Sequence, residues 1–224
     1  MKTSEAILEL LIPGMLVSSP IGLLVLRVLG FIQPGYTTEF LAKIPIPLST
    51  IFGILFLGSS YLVGAVLNEL GTRIVEKKSN KVVLTCIKAY KDDLIEHHYE
   101  ELREVDLNKL SEKRAWAEFS FLRAFDRTSS GGAASRIRSH ESYLRLFRPS
   151  LVSIPLGLIF FGAYTLSVAA SRLNSTAIFG YTLVLLSMPS HILLRAVYFQ
   201  RLNTAVKSAI QHYTALKSQE ESDD

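Results

Sequence analysis

Cysteine is almost absent from this sequence, and so are the usual patterns of a catalytic or metal centre. Cys86 is the only cysteine among 224 residues, so an intramolecular disulfide framework is excluded and a reducing compartment is expected around it. One cysteine also excludes a Cys-rich structural zinc site. His97 lies within an acidic stretch, but His140 and His212 come without a matching cluster. We therefore predict no metal and no cofactor.

Charge is scarce in four apolar blocks, although charged residues make up 20% of the chain. Each block is close to the roughly 20 residues that cross a hydrocarbon core of about 30 Å as a helix. A signal peptide has a shorter apolar region. A re-entrant first segment is the alternative, because Pro13 and Pro20 interrupt that block. We predict an all-α integral membrane protein with four transmembrane helices, at Ile7–Ile32, Leu48–Leu67, Leu151–Ser171 and Thr176–Leu194.

Lysine and arginine are distributed unequally between the connections. The stretch 68–148 holds 16 of the 24 positive residues, whereas loop 33–47 contains only Lys43 and turn 172–175 only Arg172. Positive residues accumulate in loops on the cytoplasmic side of a membrane. We therefore predict that both termini, the long connection and Cys86 are cytoplasmic.

The polar stretches outside the blocks keep a helical pattern. Apolar residues recur at spacings of three and four, at Val83, Ile87, Tyr90 and Leu94 and at Leu202, Val206, Ala209 and Tyr213. A further helical run contains Trp116, Phe119, Phe121 and Leu122. We expect a cytoplasmic helical region between spans 2 and 3 and a helical C-terminal extension. The predicted divisions are spans 1 and 2 (1–72), cytoplasmic region (73–148), spans 3 and 4 (149–198), and cytoplasmic helix with acidic tail (199–224).

Charge within the cytoplasmic region is segregated. Residues 92–106 carry seven acids and one arginine, whereas residues 123–148 carry six arginines and two acids. Three interpretations stay open: the two stretches complement each other, the arginines contact anionic lipid headgroups, or they bind an anionic ligand or nucleic acid. Arginine without lysine favours bidentate phosphate contacts. The candidate anion-binding residues are Arg123, Arg127, Arg136 and Arg138.

The fourth block contains polar residues that are costly in lipid. Such groups face protein or water and mark pathways or ion pairs. A proline in the helix leaves the backbone carbonyl one turn earlier without its hydrogen-bond donor. A Ser–His hydrolase is a weaker hypothesis, because the span contains no acid to orient the histidine. We predict an ion pair between Glu9 and Arg195. The candidate gating residues are Glu9, Ser187, Pro189, Ser190, His191 and Arg195.

Small residues form one stripe along the second block and its continuation. Gly53, Ser60, Gly64 and Gly71 recur at spacings of seven, four and seven. Small residues allow helices to approach closely in lipid. The stripe is predicted to pack a helix, either within one chain or between subunits of a homo-oligomer.

Three short motifs carry a resemblance: Leu11–Gly14, Ser60–Gly64 and Leu67–Gly71. They are similar to those of bacterial four-span membrane proteins with an Ile-Pro-Gly first span and a Tyr-Leu-Val-Gly second span. The activity of that group is uncharacterised, and its members often accompany defence or stress genes. The resemblance implies a bacterial inner membrane and a role in defence or stress.

We therefore expect a non-enzymatic oligomeric membrane protein. Its cytoplasmic helices would receive a signal or a protein partner, and its spans would respond as a channel, pore or membrane sensor in the lipid bilayer. The first alternative is a membrane anchor or scaffold that recruits a cytoplasmic partner. An enzyme that acts on lipid is the second alternative.

Overall fold

The protein consists of long helices. The computed structural model describes residues 3–32, 46–90, 92, 94, 115–117, 119–120, 122, 132–169 and 175–223. In chain order the four long helices are α1 (Thr3–Ile32), α2 (Ile46–Ala89), α3 (Gly132–Val168) and α4 (Ser175–Asp223). Residues 115–117, 119–120 and 122 are also helical. Across these ranges all regular structure is helical, without a β-strand, so the all-α prediction is confirmed.

Each long helix includes a stretch that is long and apolar enough to cross a membrane. The stretches lie in Ile7–Leu29, Thr50–Ala89, Ser142–Val168 and Ser175–Leu216. At a rise of about 1.5 Å per residue, the 44 residues of α2 measure about 66 Å and the 49 residues of α4 about 74 Å. A hydrocarbon core of about 30 Å accommodates less than half of either helix. The prediction of four helices able to span a membrane is confirmed, and α2 and α4 continue far beyond that length.

Prolines lie within three of these helices without ending them. α1 runs through Pro13 and Pro20 as one helix, unlike the alternative of a broken first segment. α3 runs through Pro149, so the polar stretch before this proline and the third apolar block form one helix. Proline is tolerated inside membrane helices where neighbouring groups satisfy the released carbonyls.

The chain divides into two compact units. The first contains Met1–Thr72 and Leu146–Arg195, and the second contains Arg73–Arg145 and Ala196–Asp224. The boundaries fall inside α2, α3 and α4, so each of these helices contributes to both units.

The first unit has small residues inside and large apolar residues outside. Among the residues that the structure describes, thirty of the 32 exposed large apolar side chains belong to it, and Leu185 is 74% exposed. So many exposed large apolar side chains are unusual for a protein in water, whereas helices in lipid associate through small residues. The first unit is therefore packed as expected for a lipid environment. Its described buried residues include the larger Val17, Leu67 and Leu151, but most are small residues or prolines: Pro13, Gly14, Pro20, Ser60, Gly64, Gly71, Pro149, Ser153, Gly162, Thr165, Ala169, Ala177, Gly180 and Ser187.

The second unit shows the opposite distribution. Its interior is built from large apolar side chains, and Ile74 and Tyr143 are the two exposed ones among its described residues. Such an apolar interior is the ordinary result of folding in water. The predicted apolar stripes supply it: Val83, Ile87, Leu94, Phe119, Leu122, Leu202, Val206, Ala209 and Tyr213 are buried. Tyr90 is half-buried, and Phe121 lies outside the described residues.

Candidate functional site

Glycines bring the backbones of α1 and α2 into direct contact. A Cβ added at Gly14 would overlap the carbonyl of Ser60, and one added at Gly64 would overlap the carbonyl of Leu10. The obstructing atoms are backbone atoms, which cannot move aside as a flexible side chain can. Only glycine therefore fits at these two positions.

The other members of the small-residue stripe differ from each other. A Cβ at Gly71 would overlap the carbonyl of Arg148 in α3, so this glycine packs a second helix pair within the first unit. Gly53 meets nothing within 4 Å. Ser60, Gly64 and Gly71 thus lie at helix crossings inside this chain, whereas Gly53 lies apart from them.

The crossing of α3 and α4 depends on residues that the sequence analysis missed. A Cβ at Gly162 would lie 2.8 Å from the carbonyl oxygen of Gly180, and one at Gly180 would lie 2.5 Å from Oγ1 of Thr165. The Thr165 hydroxyl itself donates to the carbonyl of Gly162, 2.8 Å away. Glycines inside apolar blocks were the signal that could have identified this crossing.

His191 satisfies a carbonyl that a proline leaves without its helical donor. Proline has no backbone N–H, so Pro155 cannot donate to the carbonyl of Leu151 one turn earlier in α3. The Nδ1 atom of His191 in α4 lies 2.9 Å from that carbonyl oxygen. Because a carbonyl oxygen only accepts hydrogen bonds, Nδ1 carries the proton and donates it. The imidazole therefore joins α4 to the proline-containing turn of α3.

The residues beside His191 bond locally within α4. The hydroxyl of Ser187 donates to the carbonyl of Val184, and that of Ser190 donates to the carbonyl of Ser187, both at 2.7 Å. Pro189 lies between them inside the helix. We refer to Ser187, Pro189, Ser190 and His191, with the carbonyl of Leu151, as the polar cluster.

The polar cluster gives little support to a Ser–His hydrolase. A catalytic serine needs its hydroxyl directed at the base, with a third group orienting that base. Here the hydroxyls of Ser187 and Ser190 and the Nδ1 of His191 are all directed at backbone carbonyls. The arrangement is better suited to holding two proline-containing helices together than to activating a nucleophile.

The predicted ion pair of Glu9 and Arg195 stays a prediction. Glu9 is half-buried in α1, and Arg195 is exposed in α4. The side chains of the four candidate anion-binding arginines lie outside the described part of the structure. Arg123 and Arg127 lie outside the described residues, and only the backbone of Arg136 and Arg138 is described, in the first two turns of α3.

Cys86 and Asn203 form a partly buried polar contact in the second unit. Cys86 belongs to the part of α2 that follows the predicted span, and its Sγ donates to Oδ1 of Asn203 in α4 at 3.0 Å. Burial raises the pKa of the thiol, and the positive charge of Lys207 opposes this shift. The thiol is therefore held neutral as a hydrogen-bond donor rather than as a reactive thiolate.

Two further side-chain contacts join helical segments of the second unit. The indole N–H of Trp116 donates to the side-chain carbonyl of Asn80. The ammonium group of Lys78 lies 4.5 Å from the ring centre of Phe199, within the range of a cation–π interaction. Among the described residues no three His, Cys, Asp or Glu side chains are grouped as metal ligands.

Over the part of the chain that the structure describes, fold and packing define an all-α protein with four helices able to cross a membrane. No protein-family model matches this chain, and no curated protein or solved structure is significantly similar to it.

Proposed function

We propose that this chain is a non-enzymatic, oligomeric membrane protein that responds to a signal as a channel, pore or membrane sensor. We place it in a bacterial inner membrane, with a role in defence or stress. The observation that carries the proposal is the hydrogen bond from His191 to the carbonyl of Leu151. It joins two helices, each of which contains a proline in its apolar part, at Pro155 and Pro189.

The energy of this contact is suitable for a switch. A switch needs two arrangements separated by a few kcal/mol and a ligand that prefers one of them. A side-chain hydrogen bond between membrane helices contributes on average about 0.6 kcal/mol and at most about 1.7 kcal/mol. Making or breaking the His191 bond therefore changes the balance of two states without unfolding the first unit.

The continuity of the helices supports a route for the signal. α3 begins at Gly132, close to Arg136 and Arg138, and continues through Pro155. α4 continues from the polar cluster to Asp223. Rigid helices can carry coupling between distant sites when they have two arrangements. We propose that an anionic ligand, nucleic acid or protein partner at the arginine-rich stretch alters the arrangement at the polar cluster.

The orientation is part of the same proposal. The second unit, which is packed like a protein in water, contains most of the long connection that holds 16 of the 24 lysines and arginines. Positive residues remain on the cytoplasmic side. The second unit would then face the cytoplasm and the signal that arises there.

Ion flux from liposomes tests the proposal. The purified full chain and the variants Pro189→Ala, His191→Leu, His191→Gln and Leu193→Ala would be reconstituted and assayed for release of an entrapped ion indicator. His191→Leu removes the donor to Leu151, whereas the glutamine amide can still donate. Leu193 is 65% exposed in the same helix, so Leu193→Ala serves as the matched control.

We expect His191→Leu and Pro189→Ala to change the ion flux. His191→Gln and Leu193→Ala should behave like wild type. Arg123→Glu should abolish the response to a cytoplasmic extract that activates wild type. Absence of flux from wild type, with or without extract, would reject the channel and favour the anchor that recruits a cytoplasmic partner. Turnover of the liposome lipid would instead favour the lipid-acting enzyme.

A further inference from the structure

One face of α2 changes from apolar to basic where the apolar part of the helix ends. Six exposed residues recur along α2 at spacings of four, four, three, four and four, which keep side chains on one face of a helix: Leu62, Val66, Leu70, Arg73, Lys77 and Lys81. We refer to the last three as the basic stripe. The basic stripe therefore continues the same face of α2 that carries exposed apolar side chains in the first unit.

The basic stripe lies close to the edge of the hydrocarbon core. Leu70 and Ile74 are the last exposed large apolar side chains of α2 and mark this edge. Lys77 follows Ile74 by three residues, about 4.5 Å along the helix axis, and Lys81 follows it by seven residues, about 10 Å. The headgroup region is about 5–7 Å thick on each side of the core. Lys77 is therefore level with the lipid headgroups, and the backbone of Lys81 lies just beyond them.

The direction of α2 turns these side chains towards the lipid. Every Cα–Cβ bond of a helix is tilted towards the helix N-terminus, and the apolar part of α2 lies N-terminal to the basic stripe. Lysine has a flexible four-carbon stem that can cover apolar surface while its ammonium group stays in a polar layer. The ammonium group of Lys81 can thus reach back to the headgroups.

The other charges in this part of α2 lie beside the basic stripe. Between residues 69 and 81 the helix carries four cations and two acids, so an excess of positive charge remains. At 100° per residue, Glu69 and Glu76 lie on one side of the stripe and Lys78 on the other. The ammonium group of Lys78 is directed at the ring of Phe199 in α4. The lysines of the stripe itself are the cations on the face that carries Leu70.

We propose that the basic stripe binds the headgroup of an anionic glycerophospholipid, with the ammonium groups of Lys77 and Lys81 donating to its phosphate oxygens. A lipid is the ligand because the stripe continues an apolar, lipid-facing surface and its side chains lean towards that surface. The lipid lies in the leaflet from which the polar part of α2 emerges. This site is separate from the four candidate anion-binding arginines, and it does not depend on ion conduction.

Quenching of tryptophan fluorescence by brominated lipids tests the proposal. The full chain with Trp116→Phe and Ile74→Trp would be reconstituted in mixtures of phosphatidylglycerol and phosphatidylcholine, with bromine on one lipid at a time. Ile74 is exposed beside the basic stripe, so an indole there reports which lipid is adjacent. A basic residue near an anionic surface strengthens the attraction about five-fold. We expect a preference for phosphatidylglycerol that Lys77→Gln and Lys81→Gln each lower by up to about five-fold.

Matched variants separate this site from general attraction to the protein. Lys88→Gln removes the same charge about 21 Å beyond Ile74, well over the Debye length of about 8 Å, and should leave the preference unchanged. Lys77→Arg should also retain it. Phe52→Trp, used as the reporter in place of Ile74→Trp, should show no such preference, because the first cation of α2 is Arg73, 21 residues further on.

Three results would overturn the proposal. The first is equal quenching by the two lipids at Ile74→Trp, and the second is an equal loss of preference in Lys88→Gln and Lys77→Gln. The third is a loss of the preference on addition of inorganic phosphate but not of sodium chloride at the same ionic strength, which would show that the stripe binds a soluble anion. Circular dichroism and size-exclusion chromatography would establish that each variant is folded.

Discussion

Gly64→Ala measures how much the contact between α1 and α2 contributes to stability. The added methyl group would meet the carbonyl carbon of Leu10 at 2.7 Å, and its oxygen even closer, so the two helices have to separate. Overpacking of this kind costs about 1–3 kcal/mol. At Gly58, in the same helix, a Cβ would meet nothing within 4 Å, and alanine there gains about 0.8–1.0 kcal/mol of helix propensity. Because alanine brings the same gain in helix propensity at both positions, the two variants should differ by about 1–3 kcal/mol in free energy of unfolding, which is the cost of the overpacking.

Reversible unfolding by SDS in mixed micelles, followed by circular dichroism, would measure this difference. Leu62→Ala provides a second control, because Leu62 is 66% exposed on the face directed at lipid and its truncation should change stability by no more than about 0.5 kcal/mol. Gly64→Leu should be worse than Gly64→Ala, since a larger side chain meets the same immovable backbone. Equal stability of Gly64→Ala and Gly58→Ala would refute the argument that backbone contact holds these helices together.

Two further predictions concern topology and pH. Ser175→Cys should react with a membrane-impermeant maleimide in intact cells and Gln211→Cys only after lysis, because both positions are exposed and lie on opposite sides of the predicted fourth span. The reverse labelling pattern would show that the predicted orientation is inverted. Wild type is the control, because its one cysteine, Cys86, is buried. The free energy of unfolding should fall as the pH rises above about 8.5, where the unfolded Cys86 thiol ionises before the folded one, whose pKa is raised. Cys86→Ala should lack this part of the fall in parallel titrations, and identical profiles would count against the effect.

The positions of the four long helices could be predicted from the sequence, but the residues at which they end could not. Four apolar blocks were enough to predict four spans, because length and hydropathy are local properties. The spacing of Leu202, Val206 and Tyr213 likewise identified a buried face beyond the fourth block. The sequence analysis divided the chain between residues 148 and 149, and it did not predict that one helix, α3, runs through Pro149 across this division. A proline lowers the stability of a helix locally, and tertiary packing decides whether the helix continues.

Only part of the polar cluster could be predicted from the sequence. His191 and Pro189 are conspicuous because polarity and proline are costly in an apolar block. The partner of His191 is a backbone carbonyl 40 residues away, released by Pro155. No property of the sequence near His191 indicates that turn, since the contact depends on the register of α4 against α3. A search for prolines inside every apolar block would have pointed to Leu151 as an acceptor.

The glycine crossings also imply an order of assembly. The contact between Gly162 and Gly180 joins positions 18 residues apart, whereas the contact between Gly14 and Ser60 spans 46 residues. Closing a loop costs about 0.6 kcal/mol more for each doubling of its length, so the α3–α4 hairpin should close more readily than the α1–α2 hairpin. The faces of α1 and α3 that meet at Gly157 and the carbonyl of Leu16 then come together only when two finished hairpins associate.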